Sequence, residues 1–439
     1  MKAIHILALV FICFLAVSCK QKQKIKLKSD TDVLHENVDQ LTQVIIYDAF
    51  SPPVASRIYG YTTLAAYEAI RFQNPKYNSI ANQLKGFKTM PLPQKGLSYN
   101  YALAATKALF TVAHKVTFSV DTLQRYEDKL YAMYKANLDD STYARSVAFG
   151  EAVGKAVLGR AAFDNYLKTR GKPRFLGSNE NGKWRPTAPD YLDGVEFCWG
   201  TMETFVVRSS SDFPLPPPTP YSNDKNSEYF RQNVEVYEQS KKNTPEQIEI
   251  AKFWDDNPFV IQHNGHMMFV NKKITPGGHW IGITAIACKK SKADAAKTAQ
   301  AYAMTAIALY DSFICGWQIK YVTEYIRPVT VINDKIDPKW LPMLQTPPFP
   351  EYPSGHSDIS AASAVVLTHM FGDNFAFQDT SDLRYIGMQR HFKSFLQASD
   401  ETSISRFYGG IHYRFSVDAA AKQGRQIGEY IWNTLKLQN

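Results

Sequence analysis

Apolar residues recur at intervals of three and four along most of this 439-residue chain, and the alternation that marks a half-buried strand is missing at any length. Leu41, Val44, Ile45 and Ala49 form one such stripe, and Ala102, Ala105, Leu109 and Val112 another. Pro52-Pro53 suits the first turn of a helix, where proline is tolerated. Further helices are expected over 227–253, 295–325, 354–370, 381–397 and 416–435, with Gly372 capping the end of the 354–370 segment. The fold class that follows is all-α, built from helical bundles. Residues 169–224 break the pattern with Gly, Pro, Asn and Ser, and residues 214–220 read as an extended polyproline segment. Trp184, Phe197, Trp199 and Phe205 in that stretch need packing partners, so it is expected to cross the bundle rather than hang free. Residues 257–278 are expected to be irregular. Two parts result: an N-terminal helical region with a Pro-rich crossing loop, 37–226, and a C-terminal helical bundle, 227–439. With 45% hydrophobic and 21% charged residues, a sizeable core can be buried.

Three chemically loaded pieces lie in the second part. Lys320 is followed, after six intervening residues, by Arg327-Pro328; then comes Pro353-Ser354-Gly355-His356; then Ser405-Arg406, with five residues between Arg406 and His412. A tetrahedral dianion needs cations and hydrogen-bond donors around its oxygens. Arginine supplies planar, bidentate donors and lysine a compact point charge. Ser354 and Gly355 open a helix, so free backbone N–H groups and the helix dipole can grip another oxygen. Gly355, without a side chain, lets the anion approach closely. His356 in the first turn can serve as acid or base, and His412 can attack or ligate the central atom. Each piece alone is common. With residues drawn at roughly 5% each, all three in this order arise by chance on the order of once in 10⁵ chains. Pieces this far apart meet only if their helices pack side by side. His263, His266 and His279 offer a weaker metal reading, because no carboxylate or thiol sits at a ligand spacing; they are expected to satisfy backbone groups instead.

At the N-terminus, Lys2 is followed by the apolar residues 6–17, then Ser18 and Cys19. That run is too short to span a bilayer, which takes roughly 20 residues, but it suits the core of a secretory signal. Residues 1–18 are read as a signal peptide and 19–36 as a solvated tether carrying Lys20, Lys22, Lys24, Lys26 and Lys28. Removing 1–18 takes away Lys2 and no acid, leaving 49 bases against 41 acids. That balance suits an anionic substrate or membrane headgroups. No basic stripe interleaves with aromatics, so nucleic acid is not an expected partner. Cys198, Cys288 and Cys315 lack CxxC spacing and are expected to be free thiols.

Ala16-Val17-Ser18-Cys19 resembles the lipobox of bacterial lipoproteins, departing from it at Ala16, where Leu is usual. The resemblance implies lipidation of Cys19 and a place in a bacterial cell envelope, exported and anchored to a membrane. The three oxyanion pieces resemble the signature of the superfamily that unites vanadium-dependent haloperoxidases with type 2 phosphatidic acid phosphatases and bacterial class A acid phosphatases. That resemblance implies a vanadate- or phosphate-binding pocket of Lys320, Arg327, Ser354, Gly355 and Arg406. His412 would be the direct vanadium ligand or the phosphorylated nucleophile, and His356 the acid–base residue. Trp317 and Phe349 match the aromatics on the halide side of fungal-type chloroperoxidases. Pro276-Gly277-Gly278-His279-Trp280 and residues 213–220 are similar to bacterial haloperoxidase-related proteins, so the likeness runs over roughly residues 37–430. It implies a vanadium haloperoxidase fold and an enzyme that binds vanadate and oxidises halide with hydrogen peroxide. The alternatives are a phosphatase hydrolysing phosphate monoesters through a phosphohistidine, needing no metal, and a non-catalytic anion-binding envelope lipoprotein. One departure bears on that choice: the family's Asp four residues after the ligand histidine is Ser416 here. Asp418 lies off that helical face. A phosphohistidine needs carboxylate support more than a neutral vanadate ligand does.

Overall fold

The structure is a computed structural model that describes residues 26–438 apart from 259, 265, 266 and 271, and gives no side chains over 261–271. Residues 1–18, read as a signal peptide, and Cys19 lie outside the described residues. The described residues are mainly helical, and residues 30–36, expected in the tether, belong to a helix. Ser29 accepts the Asp32 N–H and caps a helix, Asp30–Tyr47, whose Val33, Leu34, Val38 and Leu41 are buried. Those apolar residues drive the segment onto the body, so residues 30–36 are part of the fold. Pro52–Ile70, Tyr101–Val116, Val120–Asn137 and Asp140–Ala161 follow.

The centre is the helix Ala295–Thr323, capped by Asp294 and buried along nearly its whole length. Its many alanines let neighbours close on every side, and it packs against Pro52–Ile70 and against Gly355–Phe371. Gly355–Phe371 in turn lies against the last helix, Arg414–Thr434. The two approach so closely that a Cβ added at Gly424 would stand 2.0 Å from the Asp358 carbonyl oxygen, and one at Gly428 2.8 Å from that of Ala362. Glycine is therefore required at both positions. This contact fixes the site helix against the segment that carries His412.

The crossing loop behaves as its aromatics demand. Trp184, Trp199 and Phe205 are buried, and Phe175 stacks between Trp184 and Phe197 while meeting Tyr321 edge-on. Asp311 of the central helix holds the loop by accepting the backbone N–H groups of Phe205, Val206 and Val207 at 2.7–2.9 Å.

Two stretches differ from expectation. Within 257–278, Ile261–Asn264 pairs antiparallel with Met267–Val270. The helix expected over 381–397 is not continuous. Leu383–Ile386 makes one turn, Gly387 at φ +72° ends it, and Arg390–Phe392 pairs with Phe377–Asp379 before a new helix, Phe395–Tyr408, starts behind the Ser394 cap. Phe377, Phe392 and Phe395 reach the core together, which outweighs helical continuity. Cys198, Cys288 and Cys315 are free. No described helix is long and apolar enough to cross a membrane.

Candidate active site

Four chain segments bring the predicted residues together. Lys320 sits in the last turn of the central helix, which ends at Glu324 in the left-handed conformation (φ 50°). Arg327 then precedes the short helix Pro328–Lys335. The strap Phe349–Pro353 is tied back by the Glu351 N–H to the Tyr325 carbonyl at 2.9 Å and delivers Ser354 as N-cap of Gly355–Phe371. Arg406 ends Phe395–Tyr408, and a turn with Gly410 at φ +77° brings His412 up before Arg414–Thr434. Lys320, Arg327, Ser354, Arg406 and His412 are all almost wholly buried. His356 is half-buried overall, with its Nε2 enclosed.

Arg327 donates from Nε to the Phe349 carbonyl at 3.0 Å and from Nη1 to the Ile411 carbonyl at 2.8 Å, and Nη1 lies 3.1 Å from His412 Nε2. Its Nη2 has no protein partner. Arg406 is oriented by the Ser405 hydroxyl at 2.9 Å and by the Trp254 carbonyl. Lys320 gives its protons to the carbonyls of Pro350 and Glu351, both at 3.0 Å, and of Pro353. Its contribution to an anion is therefore a nearby charge rather than a direct donor. The Ser354 hydroxyl meets that of Ser357 at 2.8 Å. A Cβ at Gly355 would come within 3.1 Å of the Trp317 ring, so a side chain here would push on that ring. Trp317 and Phe349 pack together, ring centres 5.0 Å apart, and Phe349 covers Lys320 and Arg327 at 5.2 and 5.1 Å.

The electrostatics follow from so many cations in a dry site. Burial, and then Arg327, holds the Lys320 ammonium well below its usual range. Burial alone lowers Arg327, to about 10, where it is still charged at neutral pH. Burial and the surrounding cations depress both His356 and His412, so both imidazoles are neutral near pH 7. A bound anion would favour the charged form of each of these groups. The cations, the unpartnered Arg327 Nη2 and the unpartnered His356 Nε2 thus fit a tetrahedral oxyanion.

The carboxylate that the sequence seemed to lack is present. His412 Nδ1 lies 2.7 Å from Glu351 Oε1, which also accepts the Tyr413 N–H at 3.1 Å. Burial pushes the Glu351 carboxyl up to about 7, against the pull of Arg327 and Lys320. Asp418 lies instead near Arg414 and Glu235. Glu351 stands in the strap, five residues before His356 and far in sequence from His412, so helical spacing could not reveal it. The sequence argument against a phosphohistidine, which rested on Ser416 alone, therefore falls.

A second group was also missed. His279 is ringed by carboxylates rather than by backbone groups: Nδ1 is 3.1 Å from both oxygens of Asp256, and Nε2 is 3.0 Å from Asp379. Burial opposes its charge, but Asp256, Asp379 and Asp382 hold it well above the usual histidine range. The ring stacks on Trp254, 4.5 Å between centres, and the Trp254 carbonyl accepts Arg406. This cluster therefore backs the wall that orients Arg406. The side chains of His263 and His266 lie outside the described residues.

Comparison with known proteins agrees with the geometry. Residues 300–438 match the VCPO second helical-bundle domain, which contains all three oxyanion pieces. A 181-residue stretch is 26% identical to vanadium chloroperoxidase of Curvularia inaequalis, a match that spans 30% of either chain. A bacterial vanadium-dependent chloroperoxidase structure superposes with a TM-score of 0.72 at 18% identity, covering 94% of this chain and 98% of that one, a likeness of fold. The structure of the first bacterial vanadium-dependent iodoperoxidase superposes with a TM-score of 0.89 at 42% identity. Because that relative is covered over 99% of its length and this chain over 94%, the chain belongs to the vanadium-dependent haloperoxidase family.

Proposed function

We propose that this chain is a vanadium-dependent haloperoxidase that binds vanadate and oxidises halide, iodide foremost, with hydrogen peroxide. The observation that carries the reading is the state of His412. Glu351 accepts a hydrogen bond from Nδ1–H, and Arg327 donates toward Nε2, so the Nε2 lone pair faces the cation-lined pocket. A neutral imidazole held that way suits ligation of an oxyanion's central atom. Bound vanadate would supply a Lewis-acidic centre of constant oxidation state that activates hydrogen peroxide toward halide. Arg327 and Arg406 would hold its oxygens, Ser354 and the Gly355 N–H would add donors, and Lys320 would add field without direct contact. His356, kept neutral by burial and by Arg406, can take a proton at Nε2 from an incoming peroxide. Trp317 and Phe349 make a dry wall where a halide sheds water.

The choice over phosphatase chemistry rests on that wall and on the 42% identical iodoperoxidase. Purified protein freed of vanadate should gain iodide- or bromide-dependent oxidation of a phenolic dye by hydrogen peroxide when vanadate is added, and phosphate should compete. Brisk hydrolysis of an aryl phosphate, with no halide oxidation on adding vanadate, would instead assign the pocket to phosphoryl transfer.

We also propose that the protein is exported and lipid-anchored in a bacterial envelope, a reading supported by the apolar run that ends at Cys19. Cys19→Ala should release the protein from the membrane fraction of a bacterial host. Wild-type membrane recovery of that variant would refute the anchor.

A further inference from the structure

Glu351 belongs to none of the three signature pieces, yet it touches the residue on which the site depends. Its Oε1 sits 2.7 Å from His412 Nδ1 and accepts the N–H of the next residue, Tyr413, so the carboxylate is pinned to the backbone that carries the imidazole. On the other side of the ring Arg327 has only donors, which favours Nε2 as an acceptor, but the same Nη1 is held more closely by the Ile411 carbonyl, so this contact does not fix the tautomer by itself. Glu351 and Arg327 together favour one tautomer. Ser416 Oγ and Glu351 Oε2 are both buried without a hydrogen-bond partner among the described residues, and Ser416 holds the position four residues after His412 where the family that the sequence resembles has Asp. The backbone carbonyl of Glu351, with those of Pro350 and Pro353, also holds Lys320.

We infer that Glu351 is the positioning residue of His412, supplying from the strap the carboxylate support that an acid at position 416 would otherwise give. The inference rests on His412 being the vanadate ligand. Two carboxylates could not share this space without mutual repulsion, so a strap Glu and a small neutral residue at 416 go together. The arrangement also makes one five-residue strap responsible for both Lys320 and His412, so the anion's charge partner and its ligand are set by the same segment. A rival role is open to Glu351: offsetting the charges of Lys320 and Arg327 without orienting anything. That role predicts no effect on which ring nitrogen of His412 carries the proton.

The test uses the full chain and four variants: Glu351→Ala, Glu351→Gln, Ser416→Asp and the double variant Glu351→Ala with Ser416→Asp. Nitrogen NMR of the His412 ring in vanadate-free protein reports the tautomer, equilibrium dialysis reports vanadate affinity, and circular dichroism checks the fold. The wild type should show a single Nδ1–H tautomer. Glu351→Ala should lose that preference and bind vanadate about 10- to 100-fold more weakly. Glu351→Gln, whose amide oxygen still accepts Nδ1–H, should keep the tautomer and lose less affinity. Ser416→Asp alone should weaken binding by crowding a second carboxylate against Glu351. The double variant should regain the tautomer and most of the affinity, which a loss of packing could not explain. Wild-type tautomer and affinity in Glu351→Ala, or a double variant no better than Glu351→Ala, would overturn the inference. If Glu351→Ala does not fold, Glu351→Gln decides: a changed tautomer there would equally overturn it. The NMR arm needs no vanadate. A wild-type tautomer that depends on Glu351 in a protein that fails to bind vanadate would sink the haloperoxidase reading and leave the positioning role standing.

Discussion

Arg327→Ala and Arg406→Ala are each expected to weaken vanadate and phosphate binding in parallel, by about 30-fold or more, while helical content stays at the wild-type level. Each guanidinium is buried, and each is aimed by fixed carbonyl or hydroxyl partners rather than by an acidic side chain. Losing a buried charge-assisted contact costs roughly 2–5 kcal/mol, which is where the fold-change comes from. Arg327→Lys should recover part of the loss, because it restores charge but not the planar fork that reaches Phe349, Ile411 and His412 together. Lys320→Ala is a less clean probe. Its ammonium holds three strap carbonyls, so the substitution also loosens Glu351. Equilibrium dialysis against both anions checks the pair, and unchanged affinity in both arginine variants would remove the pocket from the account.

The second large effect separates ligation from electrostatics. His412→Ala should cost vanadate at least the roughly 100-fold upper end seen for loss of a ligand's supporting partners, yet cost phosphate much less. Vanadate can accept a coordinate bond from Nε2, whereas ground-state phosphate gains only charge and hydrogen bonds, which Arg327 and Arg406 still provide. Removing His412 also frees Arg327 Nη1 from a neighbour at 3.1 Å, which would if anything improve its hold on an anion. The ratio of the two affinities is therefore the informative quantity. Equal losses for both anions would mean that His412 acts on the shape of the site rather than as a ligand.

Much of this site was legible before any coordinates, and the reason is local. Lys320, Arg327, Ser354-Gly355-His356, Arg406 and His412 sit at helix ends, and capping rules and charge chemistry read helix ends well. The central helix was foreseen as 295–325 and spans Ala295–Thr323, because the periodic apolar pattern and the Asp294 cap agree. What was not legible is what comes together only through packing. Glu351 is a strap residue whose partner lies 61 positions away, and Ser416 at the expected place suggested the support was gone. Asp256 lies more than 120 residues before Asp379 and Asp382, with no motif linking them, yet the three enclose His279. The 381–397 stretch failed for a different reason. Its spacing is helical, but Gly387 breaks it, and Phe392 gains more by reaching the core from a strand.

The most direct measurement is a crystal of the full chain soaked in vanadate, with vanadium located by its anomalous scattering. The account predicts one vanadium per chain, at coordination-bond distance from His412 Nε2, with Arg327 and Arg406 on its oxygens and Glu351 still on Nδ1. Vanadium bound elsewhere, or an oxyanion resting on the two arginines with Nε2 unbonded, would contradict it.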